Sequence, residues 1–305
     1  MPIRISGALA LAALACTGVA VAKEKPVPAE RVVSGDRMLT VTIGGIPGRL
    51  RIDPSAASMP VLNPDYAKRA GLKPGMFGVG RRIGPVTVDG ATGVKPIELD
   101  QIPGKRRMAW FQRDIATTAD GVIGPGGLPE SVVRFTLRAP RPGEQIVTLP
   151  MEGSGGLLGG WETLRGMIQV GGTPIKVFFD LQQRSAQATA GAAVLLARAQ
   201  GGTMEGDPAS IDMGFGVERP VRTMRLAKPL MIGTLSIDTI RVRIADFGSA
   251  AAIRESGEDP DEVVVSAGQK QDHKRDQMRL GLDQLDHCSS IFFDTPAQQI
   301  RLSCL

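Results

Sequence analysis

Asp53 and Asp180 are the residues of this chain best placed to do chemistry, because each ends a copy of one motif. Residues 42–53 read TIGGIPGRLRID and residues 169–180 read QVGGTPIKVFFD, aligned without a gap at an offset of 127. Gly44, Gly45 and Pro47 recur as Gly171, Gly172 and Pro174. In each copy a short strand meets a Gly-Gly turn, and a second strand runs into a lone carboxylate. Two related lobes packed about a pseudo-twofold axis bring such loops together. Two carboxyls a few ångströms apart cannot both ionise cheaply, so they share a proton. One then acts as base on a water while its protonated partner polarises a carbonyl oxygen. That is peptide-bond hydrolysis with neither a metal nor a covalent intermediate.

Other chemistries lack material. The chain has two histidines, His273 in a charged stretch and His287 beside Cys288, which leaves little for a His-based metal site or a Ser-His triad. There is no Gly-x-Ser-x-Gly elbow, no His-Glu-x-x-His and no phosphate-binding loop. No cofactor or metal is expected. A net charge of +5 with no dense Lys/Arg run points away from nucleic acid. The bland alternative stays open: Asp53 and Asp180 can also be strand-ending carboxylates that accept hydrogen bonds from loop N–H groups. Asp120 and Asp283 read as turn residues, and Ser58 and Ser185, each five residues past an aspartate, as loop-stabilising hydroxyls. Met204, Met213, Met224 and Met231 could line a groove but are more simply core filler.

The elements around these residues are short. Residues 1–22 carry Arg4, an apolar run and an Ala-x-Ala end, the form of an export signal. Lipidation at Cys16 is the weaker reading. Cleavage leaves 283 residues with 35 Lys and Arg against 31 Asp and Glu. Nothing after residue 22 is long and apolar enough to cross a membrane. A polar leader, 23–30, precedes a first lobe at 31–152; the Gly-rich 153–160 is a linker, and a second lobe fills 161–305. Asn63-Pro64 opens a short helix, and an Ala-rich helix stops at Gly201-Gly202. Residues 83–99 read as a hairpin turning at Asp89-Gly90. Residues 255–277 read as a charged surface excursion with one strand at 263–265. Gly124, Leu128 and Phe135 recur as Gly281, Leu285 and Phe292 at an offset of 157. A terminal hairpin centred on Pro296 sets Cys288 opposite Cys304, a disulfide in an oxidising compartment; two buried thiols are the alternative.

The units GGIPGRLRID and GGTPIKVFFD and the Gly steps Val122-Ile123-Gly124 and Arg279-Leu280-Gly281 resemble those of the retropepsin-like and pepsin-like aspartic peptidase superfamily, here in a tandem two-lobe form. The second step has lost its first apolar residue. The resemblance covers nearly the whole mature chain. It implies a mainly β, bilobal aspartic-peptidase-like fold of two related β-barrel-like lobes, with a central cleft and a first-lobe flap at residues 86–93. By position, Asp53 and Asp180 match the family's catalytic aspartates. In the family a Thr-Gly pair follows each aspartate; here Pro54-Ser55 and Leu181-Gln182 stand instead. Neither Pro54 nor Leu181 can make the threonine's hydrogen bond, and Ser55 and Gln182 are expected to bring strain where glycine allowed a tight backbone. The expectation is an exported, catalytically degenerate protein that binds a peptide or partner protein in its cleft. The alternatives are an active endopeptidase using Asp53 and Asp180, and a structural envelope protein. The sequence sets no oligomeric state.

Overall fold

The computed structural model describes residues 30–153, 161–256 and 275–305. Strand β1 (Glu30–Val33) comes first. The first lobe continues through β2 (Met38–Ile43), β3 (Ile46–Ile52), β4 (Val61–Leu62) and helix α1 (Pro64–Arg69). It is completed by β5 (Gly78–Ile83), β6 (Val86–Leu99), β7 (Ile102–Phe111) and β8 (Gly121–Ile123). Strands β9 (Val132–Thr136) and β10 (Gln145–Glu152) lead to the second lobe. That lobe begins with β11 (Arg165–Val170), β12 (Thr173–Phe179), β13 (Gln187–Thr189) and helix α2 (Ala190–Gln200). It goes on through β14 (Gly202–Asp212), β15 (Glu218–Ile232), β16 (Leu235–Arg243) and β17 (Arg254–Glu255). Strand β18 (Gln277–Leu280), the single turn α3 (Leu282–Leu285), β19 (Cys288–Asp294) and β20 (Gln299–Cys304) end the chain. The protein is mainly β, and the strand predicted at 263–265 lies outside the described residues.

The two lobes repeat each other strand for strand. The order β2-β3-β8-β4-β7-β6-β5 in the first is matched by β11-β12-β18-β13-β16-β15-β14 in the second. Parallel pairs match too: β3 with β8 and β4 with β7, against β12 with β18 and β13 with β16. In the first lobe β2 also pairs with β6, which closes six strands into a barrel. No equivalent pairing of β11 with β15 occurs among the described residues. The repeated hairpins turn in the same way. Ile43 faces Ile46 and Val170 faces Thr173 across two-residue loops. Both central glycines have positive φ, 57° and 82° in one copy and 55° and 81° in the other. That is the primed turn that matches strand twist and excludes most side chains.

A shared sheet joins the lobes. It runs β1-β9-β19-β20-β10 and interleaves strands from the two ends of the sequence. Period-two alternation builds its core: Val147, Leu149 and Met151 of β10 point inward while their neighbours face solvent. Phe293 packs edge-on against Phe135 at 5.8 Å and Phe179 at 6.0 Å. All three rings are buried, each stabilising the fold by about 1.5–3 kcal/mol relative to exposure. Phe292, predicted to match Phe135, instead lies half-buried between the guanidinium groups of Arg134 and Arg301. The buried place belongs to Phe293, one residue on, because the pleat sends neighbours to opposite faces.

The flap hairpin turns at Gly84-Pro85, not at Asp89-Gly90, since Ile83 pairs directly with Val86 and β6 runs unbroken through both residues. Gly90 serves packing: a Cβ there would lie 2.5 Å from the Trp110 carbonyl oxygen. The flap tip reaches the other lobe. A Cβ on Gly84 would meet Asp246 Oδ1 at 2.1 Å, and the Arg82 guanidinium sits 4.8 Å from the Phe247 ring centroid. The matching β14–β15 turn does the converse, with Phe215 at 4.7 Å from Phe111 and Val217 in a cluster with Met59, Val61 and Val88. Each lobe therefore clasps the other with a hairpin.

Cys288 and Cys304 are disulfide-bonded and face each other across β19 and β20. Removing the bond in a Cys288→Ala/Cys304→Ala variant is expected to cost about 3 kcal/mol for a loop of this length. Urea unfolding of the two proteins measures it, and equal midpoints would contradict it. Beside this hairpin, Glu144 accepts hydrogen bonds from Ser289, Ser303 and the Arg141 N–H and pairs with Arg138. The Ser289 bond, foremost among these, pulls the Glu144 carboxyl down from 4.5 to about 2. A depressed carboxyl stabilises the fold fully above its unfolded pKa. Its contribution should fade as pH falls from about 4.5 toward about 2. Glu144→Gln should flatten that part of an acid-denaturation curve.

Candidate functional site

Asp53 and Asp180 each follow a strand of a parallel pair, and the same backbone lock holds both. The Asp53 N–H donates to the Ile123 carbonyl at 3.0 Å, and that of Asp180 to Leu280 at 2.9 Å. The glycine after each of those residues packs onto the aspartate's own loop. A Cβ on Gly124 would fall 2.2 Å from the Ala56 oxygen, and one on Gly281 would fall 2.2 Å from the Arg184 oxygen. Only glycine allows that approach. Both carboxylates are buried, 4 % and 6 % exposed, and both line one cleft between the lobes of about 460 Å³. Met59, Val61, Phe111, Met213 and Phe215 form its apolar wall.

The substitutions after the aspartates do not distort the loops. Ser55 and Gln182 have no positive φ, and each still donates its N–H to the aspartate two residues back, at 2.8 Å and 2.9 Å. A tight turn closed by a carboxylate is open to residues other than glycine when φ stays negative. Ser55 adds its own hydroxyl to Asp53 Oδ1 at 2.8 Å. Gln183 adds a second N–H to Asp180 Oδ1 at 3.3 Å.

The unforeseen feature is arginine. Arg279 Nη1 lies 3.1 Å from Asp180 Oδ2, and Arg51 Nη2 lies 3.7 Å from Asp53 Oδ2. Arg37, in the turn between β1 and β2, feels both carboxylates. Burial lowers the Arg37 pKa, while Asp53 and Asp180 oppose that shift. The two paired arginines occupy opposite members of equivalent strand pairs. Arg51 sits beside Val122 in the first lobe, and Phe178 beside Arg279 in the second. At the repeat offsets Arg51 corresponds to Phe178, and Val122 to Arg279. Arg279 also lies over the Phe178 ring, 5.6 Å from its centroid. The missing apolar residue of the Arg279-Leu280-Gly281 step was the available signal; Arg51, in ordinary strand alternation, gave none.

The remaining candidates are structural. Asp120 accepts from the Arg49 N–H and pairs with Arg69, and Asp283 pairs with Arg184. Ser185 reaches Asp283 Oδ2 at 3.5 Å. Met204 and Met224 are core, Met213 lines the cleft, and Met231 is exposed. No group of three or more His, Cys, Asp or Glu side chains suited to a metal occurs among the described residues. No helix there is long and apolar enough to cross a membrane. No protein-family model matches the sequence, and a search of curated proteins returns no significant match.

The Arg279–Asp180 pair is mostly buried, so losing one partner leaves an uncompensated charge. Arg279→Met is expected to cost about 3 kcal/mol, near the low end for a broken buried pair because Arg37 still faces Asp180. Adding Asp180→Asn, which keeps an acceptor for the loop N–H groups, should recover most of that loss. A double-mutant cycle by urea unfolding measures the coupling; additive losses would contradict it.

Proposed function

We propose that this chain is an exported protein similar to the tandem aspartic peptidases that binds an extended peptide or protein segment in its inter-lobe cleft without cutting it. One observation carries the reading: an arginine stands against each carboxylate, Arg279 hydrogen-bonded to Asp180 Oδ2 at 3.1 Å and Arg51 at 3.7 Å from Asp53 Oδ2. Asp180 accepts from two loop N–H groups and from Arg279; Asp53 accepts from the N–H and hydroxyl of Ser55 and faces Arg51. A working dyad needs carboxyl oxygens free to hold a water and pass a proton between them. A guanidinium held at each carboxylate competes with a water and a substrate carbonyl for the same oxygens. What persists is a cleft with an apolar wall, several polar groups and a hairpin from each lobe across it, the make-up of a ligand site. The Cys288–Cys304 bond and the signal-like residues 1–22 support an oxidising compartment.

A degenerate peptide pool incubated with the purified protein from about pH 3 to pH 7, where a shared-proton dyad operates, tests the reading. Wild type and Asp53→Asn/Asp180→Asn are both expected to leave the pool uncut, while wild type retains a subset of peptides on filtration. Cleavage by wild type that the double variant lacks would establish an active dyad and overturn the proposal.

A further inference from the structure

We propose that the corner of the cleft formed by Arg81, Arg279 and Gln187 is a carboxylate subsite, selecting peptides that carry an acidic group beside a large apolar side chain. The proposal rests on the reading of the cleft as a peptide site and names its specificity. Arg81 extends from β5 of the flap into the cleft lining. Among the described residues its side chain has no hydrogen bond and no ion pair, and the charges acting on it are those of Arg279 and Arg243. It is open to solvent within a concave surface, and both of those like charges repel it. An anion placed there would offset that repulsion.

The neighbouring groups define which anion. Arg279 is committed to Asp180, and Arg243 to Asp246. One guanidinium, that of Arg81, is left uncommitted. Asp114 and Asp212 also line the cleft and disfavour a dianion, so a single carboxylate fits better than a phosphate. Arg279 keeps a further donor, a buried Nε with no partner. Gln187 is 3 % exposed, its carboxamide oxygen is unpartnered, and it lines both the cleft and a small side chamber with Arg243 and Arg279. Buried polar atoms rarely go unpaired. This acceptor suits a peptide N–H, while the guanidinium donors suit the carboxylate. Phe111 and Phe215, together with Met213, give the adjoining side chain an apolar seat.

Fluorescence anisotropy with four labelled octapeptide pools tests the assignment. One has Glu fixed next to Leu or Phe with an amidated C-terminus, and its counterpart has Gln in place of Glu. The third has Lys there, and the fourth is the Gln pool with a free C-terminal carboxylate. The amidated Glu pool is expected to bind about tenfold tighter than its Gln counterpart, and Arg81→Gln should abolish that difference without changing the melting temperature. Arg81→Lys should restore part of it, because a point charge remains but the fork is lost. If the free-acid Gln pool alone shows the Arg81-dependent gain, the carboxylate recognised is a chain terminus, which still supports the subsite. Peptide binding with no preference for acid, or a preference unchanged in Arg81→Gln, would overturn the subsite and leave the peptide cleft standing. Failure of every pool to bind the folded protein would overturn both.

Discussion

Taking a carboxylate out of water costs several kcal/mol unless hydrogen bonds and an opposite charge replace its solvation. Asp53 and Asp180 stand buried at the ends of strands whose last residues, Ile52 and Phe179, are in the core, so neither can retreat to solvent. The loop N–H groups supply part of the replacement and Arg51, Arg279 and Arg37 supply the rest. Two carboxyls that share a proton solve the same problem without any cation. The arginines set the charge that anything entering the cleft would meet at these oxygens.

The scaffold around the aspartates is maintained separately from their chemistry. Gly124 and Gly281 press their loops against the Ala56 and Arg184 carbonyls, and the Ile123 and Leu280 carbonyls receive the aspartate N–H groups. None of these contacts involves the side chains of Pro54, Ser55, Leu181 or Gln182. The backbone lock therefore leaves those four side chains outside it. The backbone path stayed in place because close approach at a glycine is a steric demand that no other residue meets.

The legible parts of the sequence were those governed by local rules. The Gly-Gly turns, the helix opened by Asn63-Pro64 and the helix stopped at Gly201 follow from backbone preferences, and Gly201 takes the left-handed C-cap at φ 73°. The Cys288–Cys304 register follows from the length of the last hairpin. What was hidden depends on distant partners. Asp89-Gly90 has the composition of a turn, but Gly90 is small because Trp110 and Phe111 lie over it. Strand β14 carries Gly206, Asp207 and Pro208 around a register shift and has little alternation. The shared sheet pairs β9 with β19 across some 150 residues of chain, beyond the reach of any short-range pattern. The candidate site was half legible: the aspartates stood out through repetition, whereas the arginines that reach them come from positions where the repeat breaks.

Those breaks carry a consequence that the repeat alone could not. A floor with strict twofold symmetry treats the two directions of an extended chain alike, but a peptide runs from N to C and its side chains differ. In this cleft the arginine beside Asp53 comes from the strand that leads into it, and the arginine beside Asp180 comes from the neighbouring strand. One lobe closes into a barrel while the other forms part of a larger sheet. The flap hairpin ends on the Asp246–Phe247 segment, and its counterpart ends on a wholly different, apolar surface at Phe111. The repeat places a hairpin and a carboxylate from each lobe at one cleft, and the differences between the copies make its ends chemically distinct. An arginine on opposite members of equivalent strand pairs leaves the fold in register and makes the two sides of the cleft chemically unlike.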